Sequence, residues 1–281
     1  MSSRFGNNLF AVREPEETVS RLERFLTTHL EESGARCLVV GMSGGLDSSV
    51  TAALCARALG GQRVLGIGLP EKETRNDKAL EDARLVASKF RIRFKIIDLT
   101  STVEASRNNL NVKMARGIPW GNVKARLRAM VLYYYANTKH GLVVGTGDKS
   151  EIMLGYFTKF GDGACDMLPL ADLYKTSVRS LARHLGIPER IRVKASSPEL
   201  WPGQTAEAEL GLSYEKLDMI LWGLERWMTP EEIVEETGLK PALVRKVRER
   251  WLKSEHKRRP PLALKLGYRT AGDDLRLPRL E

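Results

Sequence analysis

The run from Cys37-Leu38-Val39-Val40 through Gly41-Met42-Ser43-Gly44-Gly45 to the segment Leu46–Leu59 constrains the fold more than any other part of the chain. Four consecutive apolar residues mark a strand buried on both faces. A glycine-rich turn follows, then an alanine-rich helix from about Asp47. Such a turn needs backbone of positive φ, which Gly44 and Gly45 are expected to supply. With no side chains there, backbone N–H groups can close on an anion, and the helix N-terminus adds its positive end. Ser43 and Ser48 add hydroxyls. Asp47 is the informative residue. A carboxylate facing a phosphate repels it unless a cation lies between them, so Asp47 points to Mg²⁺ bridging a polyphosphate. The plainer reading makes Asp47 a helix cap and the glycines a tight turn. No lysine follows the glycines as a Walker loop requires, and the spacing is not that of a dinucleotide GxGxxG turn.

Around this unit the pattern alternates. Pro15 opens a helix with Val19, Leu22, Phe25, Leu26 and Leu30 on one face. Strands are expected at 63–69, 91–99 and 142–144, and helices from Asn76 to Phe90 and over 122–139. Strands alternating with helices predict βαβ units, a parallel sheet and ligands beyond the carboxyl ends of its strands. Residues 43–48 and 145–151 both fall at such ends. Beyond Glu151 the segment 155–166, dense in Gly and Asp, reads as a functional loop. A helix over 174–185 follows, then a Pro- and Gly-bearing loop at 196–205 that suits a lid. Residues 213–228, 230–237 and 240–254 read as a helical C-terminal region. With 281 residues and no clear linker, a single domain is expected.

Composition narrows the classes. No window approaches a transmembrane span and no secretory signal is visible at the N-terminus, so a cytoplasmic protein without membrane contact is expected. Cys37, Cys55 and Cys165 lie far apart and suit a reducing compartment. The net charge is +10. The tail 241–281 holds twelve Lys/Arg against five Asp/Glu, a patch that suits a nucleotide, a nucleic acid or a solvated helix face.

The arrangement Ser43-Gly44-Gly45-Leu46-Asp47-Ser48 resembles the pyrophosphate loop of the N-type ATP pyrophosphatases, which cleave ATP between its α and β phosphates. Further motifs narrow the acceptor. Asn122-Val123-Lys124-Ala125-Arg126 precedes Gly145-Thr146-Gly147-Asp148-Lys149-Ser150-Glu151. Then come Gly155-Tyr156-Phe157-Thr158-Lys159-Phe160-Gly161-Asp162, Leu200-Trp201-Pro202-Gly203-Gln204-Thr205 and Glu255-His256-Lys257-Arg258. Over about residues 5–262 this series resembles the ammonia-dependent NAD⁺ synthetases; 263–281 extends past it.

The resemblance implies an α/β fold of Rossmann-like, adenine nucleotide alpha hydrolase type: a parallel sheet with helices on both faces plus the helical C-terminal region. It implies a ligase forming a C–N bond in the last step of NAD⁺ synthesis. Deamido-NAD⁺ is adenylated by ATP with release of pyrophosphate, and ammonia then displaces AMP. Gly41, Met42, Ser43, Gly44, Gly45, Leu46, Asp47 and Ser48 match the ATP loop, and Asp47 and Glu151 match Mg²⁺ carboxylates. Thr146, Lys175 and Ser197 match ATP contacts, with Lys175 as a phosphate cation. Arg126, Lys159, Asp166, His256 and Lys257 match positions that hold deamido-NAD⁺. Asp162 stands where the family keeps an aspartate beside the reacting centre, suited to positioning ammonia or taking a proton from ammonium. The chain departs from the pattern at Asp148, where many relatives have Asn, and at Ser196-Ser197-Pro198-Glu199, where archaeal-type members read Pro-Ser-Ala-Gly.

The resemblance also implies a homodimer, to which the apolar face of Val123, Leu127, Met130 and Val131 is suited; that face equally suits a core. No glutaminase region with its Cys nucleophile is evident, so free ammonia is the expected nitrogen source. Two other readings remain. A tRNA-modifying ligase of the same nucleotide chemistry is one, although the paired cysteines that thiolation needs are absent. A basic nucleic-acid-binding protein is the other, although the tail interleaves only Trp251 and Tyr268 with its charges.

Overall fold

The computed structural model describes residues 9–112, 117–270 and 274–275. The start of the resemblance near residue 5 and the remainder of the tail lie outside the described residues. Helix α1 (Pro15–Glu32) leads into β1 (Cys37–Gly41), α2 (Leu46–Leu59), β2 (Val64–Gly68), α3 (Asp77–Lys89) and β3 (Arg93–Ile96). Then come α4 (Thr100–Asn109), α5 (Ile118–Lys139), β4 (Gly141–Val144), α6 (Lys149–Leu154), α7 (Lys175–His184) and α8 (Glu189–Arg192). The chain continues with α9 (Ala206–Leu210), α10 (Tyr214–Glu225), α11 (Pro230–Thr237), α12 (Pro241–Lys253) and α13 (Glu255–Arg258).

The strands form one parallel sheet in the order β3-β2-β1-β4. Successive side chains of a strand point to opposite faces, and β1 illustrates the result. Leu38 and Val40 enter a core with Leu26 of α1, Val50 and Leu54 of α2, Val86 of α3 and Leu181 of α7. Val39 enters the opposite core with Ala136 of α5, Ile67 and Val143. Helices therefore cover both faces, and an uninterrupted apolar run was the correct signal for β1. A second helical core gathers Leu154, Tyr214, Leu217, Leu221, Ile233, Val244 and Val247 from α6 and α10–α12.

The order of the strands positions the site. The chain steps outward from β1 to β2 to β3 with α2 and α3 on one face. It then returns across α5, on the other face, to pair β4 with the free side of β1. The loops leaving the carboxyl ends of β1 and β4 thus lie side by side where the strand order reverses, and a crevice opens beside them.

Two features were unanticipated and one expectation is refined. Residues 100–109 form α4, whose only buried residue is Val103, so the apolar periodicity that would have announced it is missing. The segment 155–166 is a loop as expected, and just beyond it the chain extends the sheet: Met167 bridges Val144 in parallel, and Gly145 N–H donates to Met167 O at 2.8 Å. The face of α5 divides. Val123, Leu127 and Val131 pack against Leu99 and Val103, whereas Met130 is exposed.

Candidate active site

The turn after β1 is built as its residues dictate, with one change. Gly44 has φ +78°, and a Cβ there would lie 1.9 Å from Ala79 O, so only glycine fits. Gly45 has φ −85° and is the N-cap of α2, so it does not supply the expected positive φ. The serines close the loop on itself. Gly45 N–H donates to Ser43 Oγ (3.2 Å), Ser43 and Ser48 hydroxyls share a hydrogen bond (3.1 Å), and Ser49 Oγ donates to Gly45 O (2.7 Å). Met42 turns its side chain into the core, while Gly41 lies at the strand end.

Asp47 sits in the first turn of α2 but caps nothing. Its Oδ2 accepts from Lys175 Nζ at 2.6 Å. Lys175, fully buried at the start of α7, also donates to Glu151 Oε1 (2.9 Å) and lies 2.8 Å from Asp148 Oδ2. Asp148 and Glu151 arrive together through a capping box on α6: Glu151 N–H donates to Asp148 Oδ1, and Glu151 Oε2 accepts from Asp148 N–H. The adjacency of β1 and β4 brings α2 and α6 to one point, and α7 delivers the lysine there.

One ammonium faces three carboxylates. Burial alone would discharge Lys175, but Asp148, Asp47 and Glu151 outweigh it and hold the ammonium charged well above its usual range. Burial pushes the carboxyls of Asp148 and Glu151 up, Lys175 pulls them down, and mutual repulsion raises them further. The cluster is short of positive charge. Asp47, Asp148 and Glu151 each offer an oxygen within 4.8 Å of the others, and Asp47 Oδ1 is buried without a hydrogen-bond partner. Hard oxygen donors around an orphaned carboxylate oxygen fit Mg²⁺. Asp148 is the member that sequence reading missed. The acidic residue at the end of a strand, three residues before Glu151, was its signal.

Two adjoining cavities open from this cluster. The smaller is polar and is lined by Gly45, Asp47, Glu151, Lys194 and Ser196 among others. The larger, an open cleft, has apolar walls of Ile67, Leu69, Leu80, Leu132 and Val143. Ser43, Ser48, Thr146, Asp162 and Ser197 border both. Asp162 is open to water from these cavities, yet protein crowds its other sides. That desolvation pushes its carboxyl up, countered by the Thr158 N–H that donates to Oδ1 at 2.8 Å. Lys194 and Arg128 were not anticipated. Lys194 Nζ donates to Gly44 O (3.3 Å), and Arg128 Nη2 donates to Glu199 O (3.1 Å) at the cleft wall.

The remaining expected residues lie outside the lining of these cavities. Arg126 donates to Lys159 O, and Lys159 Nζ donates to His256 O at 2.7 Å, so these three stand together. Lys257 Nζ caps Gly155 O and Phe157 O. Asp166 has structural bonds: its Oδ2 accepts from Val143 N–H (2.7 Å), and its Oδ1 accepts from Tyr133 OH (3.3 Å).

A glycine loop, a carboxylate cluster and a cleft at the switch point of a parallel sheet define a Rossmann-like nucleotide-binding protein. The chain belongs to the NAD synthase family, whose profile matches residues 18–261. It is 47% identical to the NH₃-dependent NAD⁺ synthetase of Hyperthermus butylicus over 88% of this chain and 90% of that one. It is 45% identical to the namesake from Methanocaldococcus jannaschii over 88% of this chain and 95% of that one. Among solved structures, the Campylobacter jejuni NH₃-dependent NAD synthetase, in complex with nitrate, superposes with a TM-score of 0.76 at 30% identity. It covers 90% of this chain and 100% of its own. The NMN synthetase of Francisella tularensis gives 0.79 at 32% identity, covering 89% and 98%.

Proposed function

We propose that this protein is an ammonia-dependent NAD⁺ synthetase that joins ammonia to deamido-NAD⁺ at the expense of ATP, releasing AMP and pyrophosphate. The observation that carries the reading is the meeting of Asp47, Asp148, Glu151 and Lys175 beside the glycine loop, in a chain alike to NH₃-dependent NAD⁺ synthetases over nearly their whole length. The apolar cleft suits the adenosine of ATP, and the polar cavity suits its phosphates. Asp47, Asp148 and Glu151 would hold Mg²⁺, which when bound offsets phosphate charge. Backbone N–H groups at the start of α2 and the Ser43 and Ser48 hydroxyls orient the phosphates, and Lys175 supplies positive charge as pyrophosphate departs.

The chemistry needs two displacements. A nicotinate carboxylate oxygen attacks the α-phosphorus, and the bond to the β-phosphate oxygen breaks. The ammonia nitrogen then attacks the acyl carbon, AMP leaves with its new oxygen, and the adduct loses a proton. Asp162, whose carboxyl is raised, borders both cavities where that proton must go. Arg126, Lys159, His256 and Lys257 form the candidate dinucleotide face, with Asp166 beside β4. Exposed Met130 and Tyr134 lie one turn apart on α5 with Arg126, a ridge suited to a homodimer contact. No described helix is long and apolar enough to cross a membrane. With three free cysteines, work in the cytoplasm is the location that fits.

Incubation with ATP, Mg²⁺, deamido-NAD⁺ and ammonium should yield NAD⁺ and pyrophosphate. Folded protein giving neither product removes the proposal. Ammonia-free glutamine should not substitute for ammonium.

A further inference from the structure

Four residues apart on α5, Lys124 and Arg128 project from one side of the helix toward the large cleft. Lys124 is 1% exposed. Its ammonium donates to Glu71 Oε1 (2.9 Å), Glu73 Oε2 (2.6 Å) and Leu200 O (3.3 Å). Arg128 donates to the two carbonyls before that one, Pro198 O (3.4 Å) and Glu199 O (3.1 Å). Three consecutive carbonyls of the 198–200 segment are thus held by two side chains of a single helix.

The segment is shaped for this hold. Glu199 has φ +48°, a left-handed conformation that a glutamate does not adopt unaided. Its carboxylate accepts from Asn76 Nδ2 at 3.4 Å. Gly121 brings α5 so close that a Cβ there would stand 3.0 Å from Leu200 Cβ. On the other side of the Lys124 ammonium, Glu71 organises the loop after β2. Its Oε2 accepts from Glu73 N–H (2.9 Å) and its Oε1 from Thr74 Oγ1 (2.7 Å).

Both segments are cavity walls. Pro70, Thr74, Arg75 and Asn76 of one segment and Pro198, Glu199 and Leu200 of the other line the large cleft side by side, while Lys124 itself lines neither cavity. Replacing a buried ion pair by apolar residues is often neutral for stability. A pair buried this deeply is therefore poorly explained by stability, and its three-way geometry fits setting the spacing of two loops.

We infer that Lys124 is a positioning residue for ATP: it ties the 70–76 loop to the 198–200 segment and so fixes the shape of the adenosine cleft without touching the nucleotide. The inference rests on ATP occupying this cleft. It predicts a defect confined to one substrate. Losing the tie loosens both of these segments of the ATP cleft and leaves the Arg126–Lys159–His256 face unaltered.

The double variant Lys124→Met/Glu71→Gln removes the buried ion pair together. Calorimetric titration with ATP and Mg²⁺, initial rates and a melting curve are compared with the parent protein. The melting temperature should stay within a few degrees, ATP affinity should fall ~10-fold or more, and the KM for deamido-NAD⁺ should hold. The kcat at saturating ATP should be largely retained. A folded double variant with unchanged ATP affinity overturns the inference, as does equal loss for both substrates. If the double variant does not fold, Glu73→Gln decides. Its carboxylate is half-exposed, and it should weaken ATP selectively by a smaller factor; no selective loss there overturns the inference. A parent protein that binds no ATP overturns the functional reading instead, which the same titration reveals.

Discussion

Gly44 and Gly45 look interchangeable in the sequence and are not. Gly44 combines φ +78° with an impossible Cβ position against Ala79 O, while Gly45 has φ −85° and its nearest neighbour is Ser43 Oγ at 3.3 Å. Gly44→Ala should therefore cost ~2–4 kcal/mol and abolish ATP binding. Gly45→Ala should cost ~1 kcal/mol or less and retain most binding. Chemical denaturation and nucleotide titration of the two variants check the contrast. Lys175 yields a second prediction. Deleting its ammonium leaves three carboxylates facing each other, so Lys175→Met should lower stability by ~3–5 kcal/mol. Millimolar Mg²⁺ should restore part of this loss; a melting curve indifferent to Mg²⁺ would count against a metal at this cluster. Asp47 and Glu151 were legible because each sits in a quoted motif, and Lys175 because it matches a phosphate-cation position of the family. Asp148 was masked by the Asn that many relatives carry there. Lys124 was invisible as a buried cation because only the packing of two distant loops buries it.

At the scale of elements, Asp218 of α10 is the joint. Ser150 Oγ of α6 donates to its Oδ1, and the N–H and Oγ1 of Thr176 in α7 donate to its Oδ2 at 3.0 and 2.7 Å. These are the helices that carry Glu151 and Lys175. Burial pushes the Asp218 carboxyl up to about 6, with the hydrogen bonds pulling the other way. The folded state thus binds its proton more tightly than the unfolded chain does. That contribution is present in full below the unfolded pKa near 3.8 and is lost as pH rises through about 6. At neutral pH the ionised carboxyl costs up to ~3 kcal/mol. Asp218→Asn should consequently gain on the parent between about pH 4 and 7, and the difference should level off above. Unfolding across pH measures this, and a difference that does not change with pH would refute it. Sequence reading found the long elements and missed the small ones. The strand β1 announced itself by its apolar run and α1 by its apolar face. Helix α4 buries one residue, and the six residues of α6 are too few to display a helical period.

For the whole molecule, the decisive fact is the return of the chain to β4 beside β1. It turns two loops 100 residues apart into one site, and alternating strands and helices predicted the crevice before any contact was known. Pairing in space was not legible: which acidic residues meet, and which loops α5 ties, follow from strand order rather than local sequence. The exposed ridge of Met130 and Tyr134 makes a further prediction at this scale. Met130→Asp should shift a dimer toward monomer on size-exclusion chromatography, with the monomer remaining folded. The chemistry itself is tested by deamido-NAD⁺ carrying ¹⁸O at both oxygens of its nicotinate carboxylate, turned over with unlabelled ATP and ammonium in Mg²⁺. Adenylation at the loop beside Asp47 predicts that each NAD⁺ formed is matched by one AMP bearing a single ¹⁸O, with unlabelled pyrophosphate. Unlabelled AMP, or ADP and phosphate as the nucleotide products, would contradict it.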